Sequence, residues 1–593
     1  MKLGIDFGST YSTLARYLTE DNRVEPLTLK ESGGSSIPSA VYLSAGGKQF
    51  GDAAKNMIGT PAGRHNPVYQ SFKMLLLEQD EEVLKQNGYI KRSPREITAL
   101  YLNYLLNQMM LRYEPGGTIE NLVLCVPEEW DKSLSSMNGR GILRKILTEE
   151  ITYSNGKKLD MKDIRIVTEP EAASAYFAYE YERRSEKAFC GYLLLIDYGG
   201  GTLDITLSEI NSDGKNRMEI TAREHGGKGE NHPDEKGNCR IGSAGIAYMQ
   251  QVIRYAMEEQ GIPVDFSAID FKCAVCRLES LLMNSVNADT GLDRLEECFG
   301  EYGKYSDFSK VLTDEDQLDP MYGVFSSDDI YYGEQPLVIT YRQLYSAYRD
   351  TIEQVLREEL LGIKKKTIDL IRKDPCLPSQ GLEENFKIAL VGGFGNFYFV
   401  KEQIYEIYNI DPISTSDGRL RNIDASQKEL AIACGAALIA AGKVELRKVA
   451  PMSIGLYAST ASSKTINYGI RYHKEIDFTK PYFMLQNNEE EDTVENRVLY
   501  IGLKTITHLI VQNDERVDRG KTVVLKKEFL DKIRALPGDC FYYCGFSMNA
   551  NGIYSFHAVR EDDPDPNSRD YEIELDNLEN LAELTASKLV VIE

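Results

Sequence analysis

The chain has 593 residues, 42% of them hydrophobic and 27% charged, a composition typical of a globular protein long enough for several domains. Its formal net charge of -23 argues against a nucleic acid or an anionic membrane as the main partner, because both attract clustered lysine and arginine. No run of about eighteen apolar residues predicts a membrane span. A strand-like Leu3–Ile5 follows Met1 and Lys2 directly, which leaves no room for a signal peptide, so we expect a cytoplasmic protein.

The ten cysteines and six histidines give no metal motif. Cys273 and Cys276 form a CxxC pair, but they fall in an apolar helical pattern without a second pair at zinc spacing. Two core cysteines on one helix are therefore favoured over a metal or redox site. Cys540 and Cys544 are interpreted in the same way, on a strand. The histidines are dispersed, without HxxxH or HExxH, which argues against a metallohydrolase.

In chain order, the first predicted unit is a strand, turn and strand that occurs twice. Leu3 to Thr10 and Leu195 to Thr202 each join an apolar strand reaching an Asp to a turn of glycine and a hydroxyl residue. A second strand follows each turn, at 11–17 and at 203–210. Two equivalent hairpins imply two equivalent lobes.

Around the hairpins, apolar runs of strand length alternate with long amphipathic stretches, which indicates α/β lobes with helices covering the sheets. The predicted strands are 122–126 and 388–391, and the predicted helices are 94–112, 244–259, 341–361 and 399–408. Two segments rich in glycine and polar residues, Glu224 to Asn238 and Gly300 to Gln335, are predicted surface loops.

From about Ala450 onward, short alternating segments separated by turns such as Asn551-Gly552 predict an all-β module. The predicted strands are 465–472, 498–503, 507–511, 522–526, 540–548 and 552–559. We place the domain boundary within 442–451. Residues 1–445 then form the α/β domain, 450–577 the β domain and 578–593 a short C-terminal tail.

The repeated hairpins contain the residues best suited to chemistry. A carboxylate at the end of a buried strand, such as Asp6, needs a partner, and the adjacent turn offers N–H groups and hydroxyls to an anion. An Asp beside such a phosphate nest implies a bridging Mg²⁺, held directly or through water. A capped turn explains one copy equally well. The second copy weakens that alternative, because it repeats the pattern with Asp197, Gly199, Gly200, Gly201, Thr202 and Asp204.

Together these motifs resemble the ATPase domain of the seventy-kilodalton heat-shock chaperones, within the actin-like ATPase superfamily. The matching segments, in order, are 4–11 (GIDFGSTY), 122–127 (LVLCVP), 166–173 (IVTEPEAA), 195–204 (LIDYGGGTLD), 388–393 (IALVGG) and 433–437 (ACGAA). Residues 450–456 and 546–559 resemble parts of the family's β-sandwich peptide-binding domain. The resemblance implies a two-lobed actin-like domain of duplicated ribonuclease-H-like units, followed by an all-β sandwich-like domain.

The resemblance also implies roles in slow, Mg-dependent hydrolysis of ATP to ADP. Lys73 falls at the family's catalytic lysine, and Glu169 matches the carboxylate that orients the attacking water. Asp197 and Thr202 complete the implied catalytic set, and Asp6 with Asp197 would hold hydrated Mg²⁺. The implied nucleotide contacts are Gly8, Ser9, Thr10, Tyr11, Gly199, Gly200, Gly201, Thr202, Asp204, Glu279, Gly392, Gly393 and Asn396.

Both Lys73 and Glu169 also have interpretations that involve no catalysis. Without the resemblance, Lys73 would be a solvated lysine on a helix. Glu169 would be an N-terminal helix acid before Pro170 at the first helical position, which is compatible with a catalytic role.

The sequence departs from the family pattern at the adenine clamp. Glu279 is followed by Leu282, Met283 and Val286 where the family has Lys, Arg and Ser, and Asn396 occupies the position of an Arg. We therefore expect weaker base selection, with phosphate and metal handling intact. Too few residues follow Val559 for the family's helical lid, so a divergent member without that lid is expected.

The leading hypothesis is a chaperone-like protein whose ATP and ADP states favour different arrangements of the β module. The expected partners are nucleotide, a protein or extended peptide client, and a co-chaperone or exchange factor, with no nucleic acid or membrane. An actin-like filament-forming cytoskeletal ATPase would share the phosphate motifs, but the β module argues against it. A sugar kinase would need an acceptor-activating Asp that the sequence does not reveal.

Overall fold

The computed structural model describes most of the chain. The described residues are all except 30–33, 128–133, 155, 214–217, 229–231, 234–238, 241–243, 284–329, 374–385, 393, 395–396, 409–429, 451–452, 460–463, 473, 487–490, 505, 507, 513–520, 525–526, 550–553, 569–570 and 576–593.

Strands and helices alternate through the first three quarters of the chain, and strands dominate the remainder. The strands are β1 Lys2–Phe7, β2 Tyr11–Leu18, β3 Arg23–Leu27, β4 Ile37–Pro38, β5 Val41–Ser44, β6 Gly47–Phe50, β7 Val68–Tyr69, β8 Asn121–Val126, β9 Ile164–Thr168, β10 Cys190–Tyr198, β11 Leu203–Ser212, β12 Met218–Lys228, β13 His232–Pro233, β14 Cys239–Arg240, β15 Tyr331–Tyr332, β16 Gln335–Pro336, β17 Phe386–Val391, β18 Val444–Val449, β19 Ser453–Ser459, β20 Lys464–Ile470, β21 Glu475–Ile476, β22 Tyr482–Phe483, β23 Leu499–Ile501, β24 His508–Gln512, β25 Lys521–Val524, β26 Phe541–Met548, β27 Tyr554–Arg560 and β28 Glu572–Glu574. The helices are α1 Gly51–Lys55, α2 Pro61–His65, α3 Glu81–Gln86, α4 Pro94–Tyr113, α5 Leu134–Lys145, α6 Glu169–Ser185, α7 Gly245–Glu259, α8 Ile269–Met283, α9 Tyr341–Tyr348, α10 Gln354–Lys373, α11 Tyr398–Tyr408, α12 Ala431–Ala440 and α13 Lys527–Arg534.

The first sheet has the order β3-β2-β1-β8-β9, and β4 also pairs with β2. β1 runs antiparallel to β2 and parallel to β8. Alternate side chains of β1, from Leu3 to Phe7, pack into a core that includes α4. The opposite face of β1 lies against α12, where a Cβ on Gly4 would come within 2.3 Å of the Ala433 carbonyl oxygen. Helices therefore cover both faces of this sheet, as expected when parallel pairs are buried.

The second sheet repeats this arrangement, in the order β17-β10-β11-β12-β18-β21. Its first strand, β10, again runs antiparallel to the next strand and parallel to a later one, β17. The cluster of buried side chains from α6 and α12 also contains Val123 of the first sheet and Leu195 of the second. Small residues allow the two helices to touch, since a Cβ on Gly435 would lie 1.6 Å from the Ala172 carbonyl oxygen. A shared helical layer thus connects the two sheets.

The predicted domain boundary coincides with a strand. β18 pairs in parallel with β12, and β21 from the following region pairs antiparallel with β18. Beyond this point lie two further sheets, β20-β19-β24-β25 and β22-β26-β27-β28, with β23 also paired to β26. Buried side chains from both sheets belong to one hydrophobic cluster.

Several sequence expectations are wrong in detail. The C-terminal module is not all-β, because α13 buries Phe529 and Ile533, spaced four residues apart, in its core. The predicted loop at 224–238 begins in a strand, since β12 continues to Lys228 opposite β11. Much of the second predicted loop lies outside the described residues, and its end forms the β15–β16 hairpin.

The remaining assignments agree well with the structure. Each long predicted helix is present, and the stretch at 341–361 continues through a π-helical turn, Arg349–Glu353, into α10. Cys273 and Cys276 lie on α8, and Cys544 is buried on β26. Free thiols are found at Cys125, Cys190, Cys273, Cys276, Cys434, Cys540 and Cys544. Among the helices of those ranges, none is long and apolar enough to cross a membrane.

Candidate active site

The turns of the two predicted hairpins lie against each other. A Cβ on Gly200 would be 2.2 Å from Thr10 Oγ1, and one on Gly201 would be 2.6 Å from Ser9 Oγ. Glycine at these two positions is therefore what lets the turns approach so closely. The Gly199 N–H donates to the Thr202 carbonyl oxygen across 3.0 Å, which closes the second turn.

Each hairpin places an aspartate at the same position, one residue before the end of its first strand. Asp6 lies opposite Thr13 in β2, and Asp197 lies opposite Asp204 in β11. All three carboxylates are at least nine-tenths buried. Such a concentration of negative charge is unfavourable unless cations or hydrogen-bond donors offset it.

Lys73 supplies one such cation. Its ammonium group donates to the Glu169 carboxylate, and only 2% of Lys73 and 5% of Glu169 is exposed. The interpretation of Lys73 as a solvated helix lysine is therefore wrong, since the residue is buried in a segment of turns. Two residues earlier, Ser71 has a φ of 54°, a left-handed conformation that non-glycine residues rarely adopt.

Glu169 is placed by the start of a helix. It is the first residue of α6, and Thr168 caps this helix through a reciprocal capping box with Glu171. Pro170 is thus the second helical residue rather than the first. The helix-terminus interpretation and the pairing with Lys73 both describe Glu169.

Burial and mutual repulsion shift the protonation of these groups. Burial, followed by the negative charge of Glu169, raises the pKa of Asp6 to about 7, although Lys73 and a hydrogen bond from Thr13 act in the opposite sense. Burial and the charges of Glu169, Asp204 and Asp6 hold the pKa of Asp197 well above its usual range. Burial alone would lower the pKa of Lys73, but attraction to Glu169 and Asp6 outweighs it and raises the pKa.

The residues present fit a hydrated Mg²⁺. Asp197 Oδ2 and Thr10 Oγ1 are buried, and neither has a hydrogen-bond partner among the described residues. A divalent cation would satisfy the first and reverse the repulsion that raises the carboxylate pKa values. The described part of the chain holds no group of three or more His, Cys, Asp and Glu side chains arranged as direct metal ligands. Mg²⁺ commonly keeps several waters and binds through one or two carboxylates, so ligation through water suits this geometry.

Other predicted contacts surround the hairpins. Gly392 has a φ of 81°, and a Cβ there would lie 2.4 Å from Asp197 Oδ1, so this position requires glycine. Gly8 is similarly restricted, because a Cβ would come 2.0 Å from the Tyr11 carbonyl oxygen. Gly393 and Asn396 lie outside the described residues.

Sequence reasoning missed Lys55. This residue ends α1, and its ammonium group lies 2.8 Å from both Glu279 Oε2 on α8 and the Tyr11 hydroxyl. Lys55 Nζ also lies over the Tyr11 ring, 4.5 Å from the ring centre. No local motif marks Lys55, because only the folded chain brings α1 beside α8.

Leu282, at the adenine-clamp position, is fully buried in the core of the second sheet. Val286 lies outside the described residues.

Comparison with known proteins relates this chain to the 70-kDa heat-shock chaperone family. It is 29% identical over 210 residues to a Chaperone protein DnaK from Mycoplasmopsis agalactiae, a match covering 35% of this chain and 30% of that protein. It is 26% identical over 220 residues to Heat shock cognate 70 kDa protein 3 from Dictyostelium discoideum, a match covering 35% of this chain and 34% of that protein. It is 24% identical over 217 residues to a ribosome-associated molecular chaperone from Saccharomyces cerevisiae, a match covering 35% of this chain and 34% of that protein. The matched region thus spans about a third of each relative's length. No protein-family model matches the chain.

Proposed function

We propose that this chain binds Mg-ATP between its paired hairpins, hydrolyses it slowly to ADP, and uses its nucleotide state to control binding of a peptide or protein partner. In this proposal residues 1–445 form a two-lobed actin-like ATPase domain and 450–577 a β-sandwich-like partner-binding domain, followed by the tail 578–593. The observation that carries it is the buried Lys73–Glu169 pair beside the carboxylates of both hairpins. The relatives are named as chaperones, which agrees with this class of function.

Each residue of the site has a proposed task. Ser9, Thr10 and Thr202 hydroxyls donate to phosphate oxygens, while the glycine-rich turns present backbone N–H groups. Glu169 accepts a hydrogen bond from the attacking water and orients it. The Lys73 ammonium group stabilises negative charge on the transferred phosphoryl oxygens.

The carboxylates of the two hairpins complete the proposed site. Asp6 and Asp197 would hold a hydrated Mg²⁺, which when bound supplies positive charge to the phosphate oxygens. Asp204, opposite Asp197, supports the network of waters.

Calorimetric titration of the purified chain with ATP and ADP, with and without Mg²⁺, tests the binding proposal. We expect saturable binding that depends on Mg²⁺, together with slow phosphate release without an added acceptor. A Thr202→Ala variant should reduce turnover at least tenfold, about 1.4 kcal/mol in barrier. Absence of nucleotide binding by the folded wild-type chain would overturn the proposal. Phosphate release only with an added sugar would favour the kinase alternative.

Partner binding is proposed for an exposed apolar surface on the β module. Ile501 on the short edge strand β23 is 77% exposed and lies directly opposite Phe541, which is 41% exposed, with Leu499 on the same strand at 38%. β23 pairs only with β26 among the described strands, so its outer edge can accept a further strand. Exposed Glu561 is hydrogen-bonded through its N–H to the Phe541 carbonyl oxygen, and exposed Glu495 precedes β23 in the chain. One exposed lysine, Lys504, follows the strand, but the chain as a whole carries a net charge of -23. The chemistry therefore fits an extended apolar segment carrying basic residues, and disfavours pairing with a second, equally acidic copy.

Fluorescence anisotropy of labelled extended peptides with the full chain tests this surface. Ile501→Ser should weaken binding of an apolar peptide with basic ends, mainly by faster dissociation. Ile90→Ser is the matched control, because Ile90 is 74% exposed elsewhere. Equal binding by both variants would show that β23 does not bind the peptide.

A co-chaperone or exchange factor is proposed as the further partner, in the cytoplasm. It would cover the peptide bound to the β module or promote nucleotide release.

A further inference from the structure

The carbonyl oxygens of the first hairpin turn are bound by a single serine. Ser39, directly after β4, donates its N–H to the Thr10 carbonyl oxygen across 2.8 Å and its hydroxyl to the Gly8 carbonyl oxygen across 2.7 Å. Only 2% of Ser39 is exposed. Free carbonyl oxygens in the turn would repel an anion, so hydrogen bonds that engage them favour anion binding there. No sequence motif marks this residue.

A buried tyrosine fixes the segment that contains Ser39. Tyr101, within α4, donates its hydroxyl to the carbonyl oxygens of Ile37 and Pro38, at 3.2 and 3.1 Å. The hydroxyls of Ser12 and Ser39 are 3.0 Å apart, and both lie within hydrogen-bonding reach of Tyr101. Burial raises the pKa of Tyr101, and these hydrogen bonds act in the opposite sense. The Tyr101 hydroxyl therefore belongs to the network that binds the turn carbonyls.

The ring of the same tyrosine contacts the residue next to Lys73. The ring centres of Tyr101 and Phe72 are 5.2 Å apart, and Phe72 also stacks on Phe7 with ring centres 5.8 Å apart. Each of these three side chains is at most 1% exposed. Aromatic pairs of this kind stabilise a structure beyond the area that they bury. Because Phe72 directly precedes Lys73, the stacked rings restrict where the Lys73 backbone can lie.

The stacked rings also reach the Lys73 ammonium group. Lys73 Nζ lies 5.8 Å from the centre of the Phe7 ring, within the range of a cation–π contact. The left-handed backbone of Ser71 is held by a turn, in which the Leu75 N–H donates to the Ser71 carbonyl oxygen across 3.1 Å. Such a conformation persists only where the surrounding structure enforces it. The segment that carries Lys73 is therefore closely constrained on both sides.

We propose that Tyr101 is a positioning residue for two parts of the candidate site: its hydroxyl orders the first phosphate turn through Ser39, and its ring orders Lys73 through Phe72. This inference rests on the proposed binding and hydrolysis of ATP. The two ends of one side chain then serve different steps, because the turn binds phosphates in the ground state, whereas Lys73 stabilises charge that develops in the transition state.

Tyr101→Phe separates the two roles, because it removes the hydroxyl and keeps the ring. Calorimetry in Mg²⁺ should show ATP affinity reduced about two- to tenfold, the range of one lost hydrogen bond. Affinity for inorganic tripolyphosphate should fall by the same factor, since the change affects the phosphate turn. The single-turnover rate of bound ATP should stay at its wild-type value.

A second variant and a matched control define the hydrogen-bond network. Ser39→Ala should reproduce the Tyr101→Phe result, and the double variant should lose less affinity than the two single losses predict, because both residues act through one network. Tyr104→Phe is the control, since it makes the same change on the same helix at a ring that stacks on Phe50. It should leave affinity and rate unchanged.

Phe72→Leu tests the contact with Lys73. It should slow the single-turnover rate about two- to tenfold, the range of a lost aromatic pair, and leave the affinities for ATP and tripolyphosphate unchanged. Phe189→Leu is the control, because Phe189 is also buried but packs edge-to-face on Phe177 of α6. A general loss of stability would not change affinity alone in one variant and rate alone in the other.

Circular dichroism confirms that each variant is folded, and the isosteric Tyr101→Phe decides alone if Phe72→Leu does not fold. The inference is wrong if Tyr101→Phe keeps wild-type affinity for both ligands, if folded Phe72→Leu keeps the wild-type rate, or if both variants lose rate and affinity equally. If the folded wild-type chain binds neither ATP nor tripolyphosphate, the proposed nucleotide binding itself fails, and this inference fails with it.

Discussion

The two hairpins of the candidate site share a backbone plan but differ in the residue that faces the aspartate. In the first, Thr13 lies opposite Asp6 and donates a hydrogen bond to its carboxylate. In the second, Asp204 lies opposite Asp197 and adds a second negative charge. The same short sequence pattern therefore produces one partly compensated carboxylate and one concentrated anionic site. A bound cation should therefore offset more negative charge at the second hairpin than at the first.

The buried Lys73–Glu169 pair influences both hairpins. The positive charge of Lys73 lowers the pKa of each aspartate, while Glu169 raises it. Because these charged groups share one buried space, removing any one of them changes the balance for the others. The predictions that follow change one member at a time, from the largest expected effect to the smallest.

Lys73→Ala should have the largest effect, because it removes the cation that offsets these carboxylates and leaves Glu169 buried without its partner. Breaking a buried ion pair on one side typically costs about 3–5 kcal/mol of unfolding free energy. Turnover should fall at least tenfold, equivalent to about 1.4 kcal/mol in barrier. Urea unfolding measures the first quantity and phosphate release the second.

Lys162→Ala is the control for this change, since Lys162 is 76% exposed and lies away from the site. It should alter neither quantity measurably. Unchanged turnover in a folded Lys73→Ala protein would remove this lysine from the mechanism.

The stability of the chain without metal or nucleotide should fall as pH rises. The pKa of Asp6 is about 7 in the folded state against 3.8 for the free side chain, so the folded chain holds a proton that the unfolded chain releases. This contribution is fully present below about pH 4 and is lost as pH rises through 7. Each unit of pKa difference corresponds to about 1.4 kcal/mol. Urea unfolding in EDTA from pH 5 to pH 8 should show the decline, and Asp6→Asn should make it less steep. An equal slope in the variant would contradict this account.

A pair of matched substitutions measures the difference between the hairpins directly. Both Asp6→Asn and Asp197→Asn replace a carboxyl group whose pKa is raised by folding, so both should stabilise the metal-free chain at pH 8. The gain should be larger for Asp197→Asn, because burial and three neighbouring carboxylates oppose the charge of Asp197. The same variant should lose more affinity for Mg-ATP. Equal effects from the two substitutions would show that the opposing residues, Thr13 and Asp204, do not distinguish the hairpins.

The sequence was sufficient to predict much of the fold but less of the site. The hairpins, α4 and α7 follow from local periodicity and turn residues, which the folded chain preserves. The helix α13 was missed because eight residues between predicted strands give a weak periodic signal. Lys55 could not be found, because its contact with Glu279 joins residues more than two hundred positions apart. Local patterns contain no information about such pairings.

The close contact between the two turns gives a smaller, geometric prediction. A Cβ on Gly200 would be 2.2 Å from Thr10 Oγ1, whereas one on Gly199 would make only an ordinary contact, 3.6 Å from the Thr202 carbonyl oxygen. Gly200→Ala should therefore push the turns apart and destabilise the chain by about 1–3 kcal/mol, the usual cost of overpacking. Gly199→Ala should cost less. Thermal unfolding of both variants checks this, and a larger loss for Gly199→Ala would contradict the close contact between the hairpins.

The smallest expected effect concerns the choice of base, which separates the phosphate hairpins from the rest of the nucleotide site. In the proposed site the hairpins would contact only the phosphates, so they would not distinguish ATP from GTP. Leu282 lies in the core, so the cation that the family resemblance implies at this position is absent from the ligand side. Losing such a contact is worth roughly 0.5 to 2 kcal/mol, so preference for ATP over GTP should stay below a hundredfold. Competition of GTP against labelled ATP in Mg²⁺ measures this ratio. Leu282→Lys serves as the complementary test: it should destabilise the core without restoring selectivity, because its side chain enters a packed apolar cluster rather than the nucleotide site. Stronger rejection of GTP by the wild-type chain would show that other residues select the base strictly.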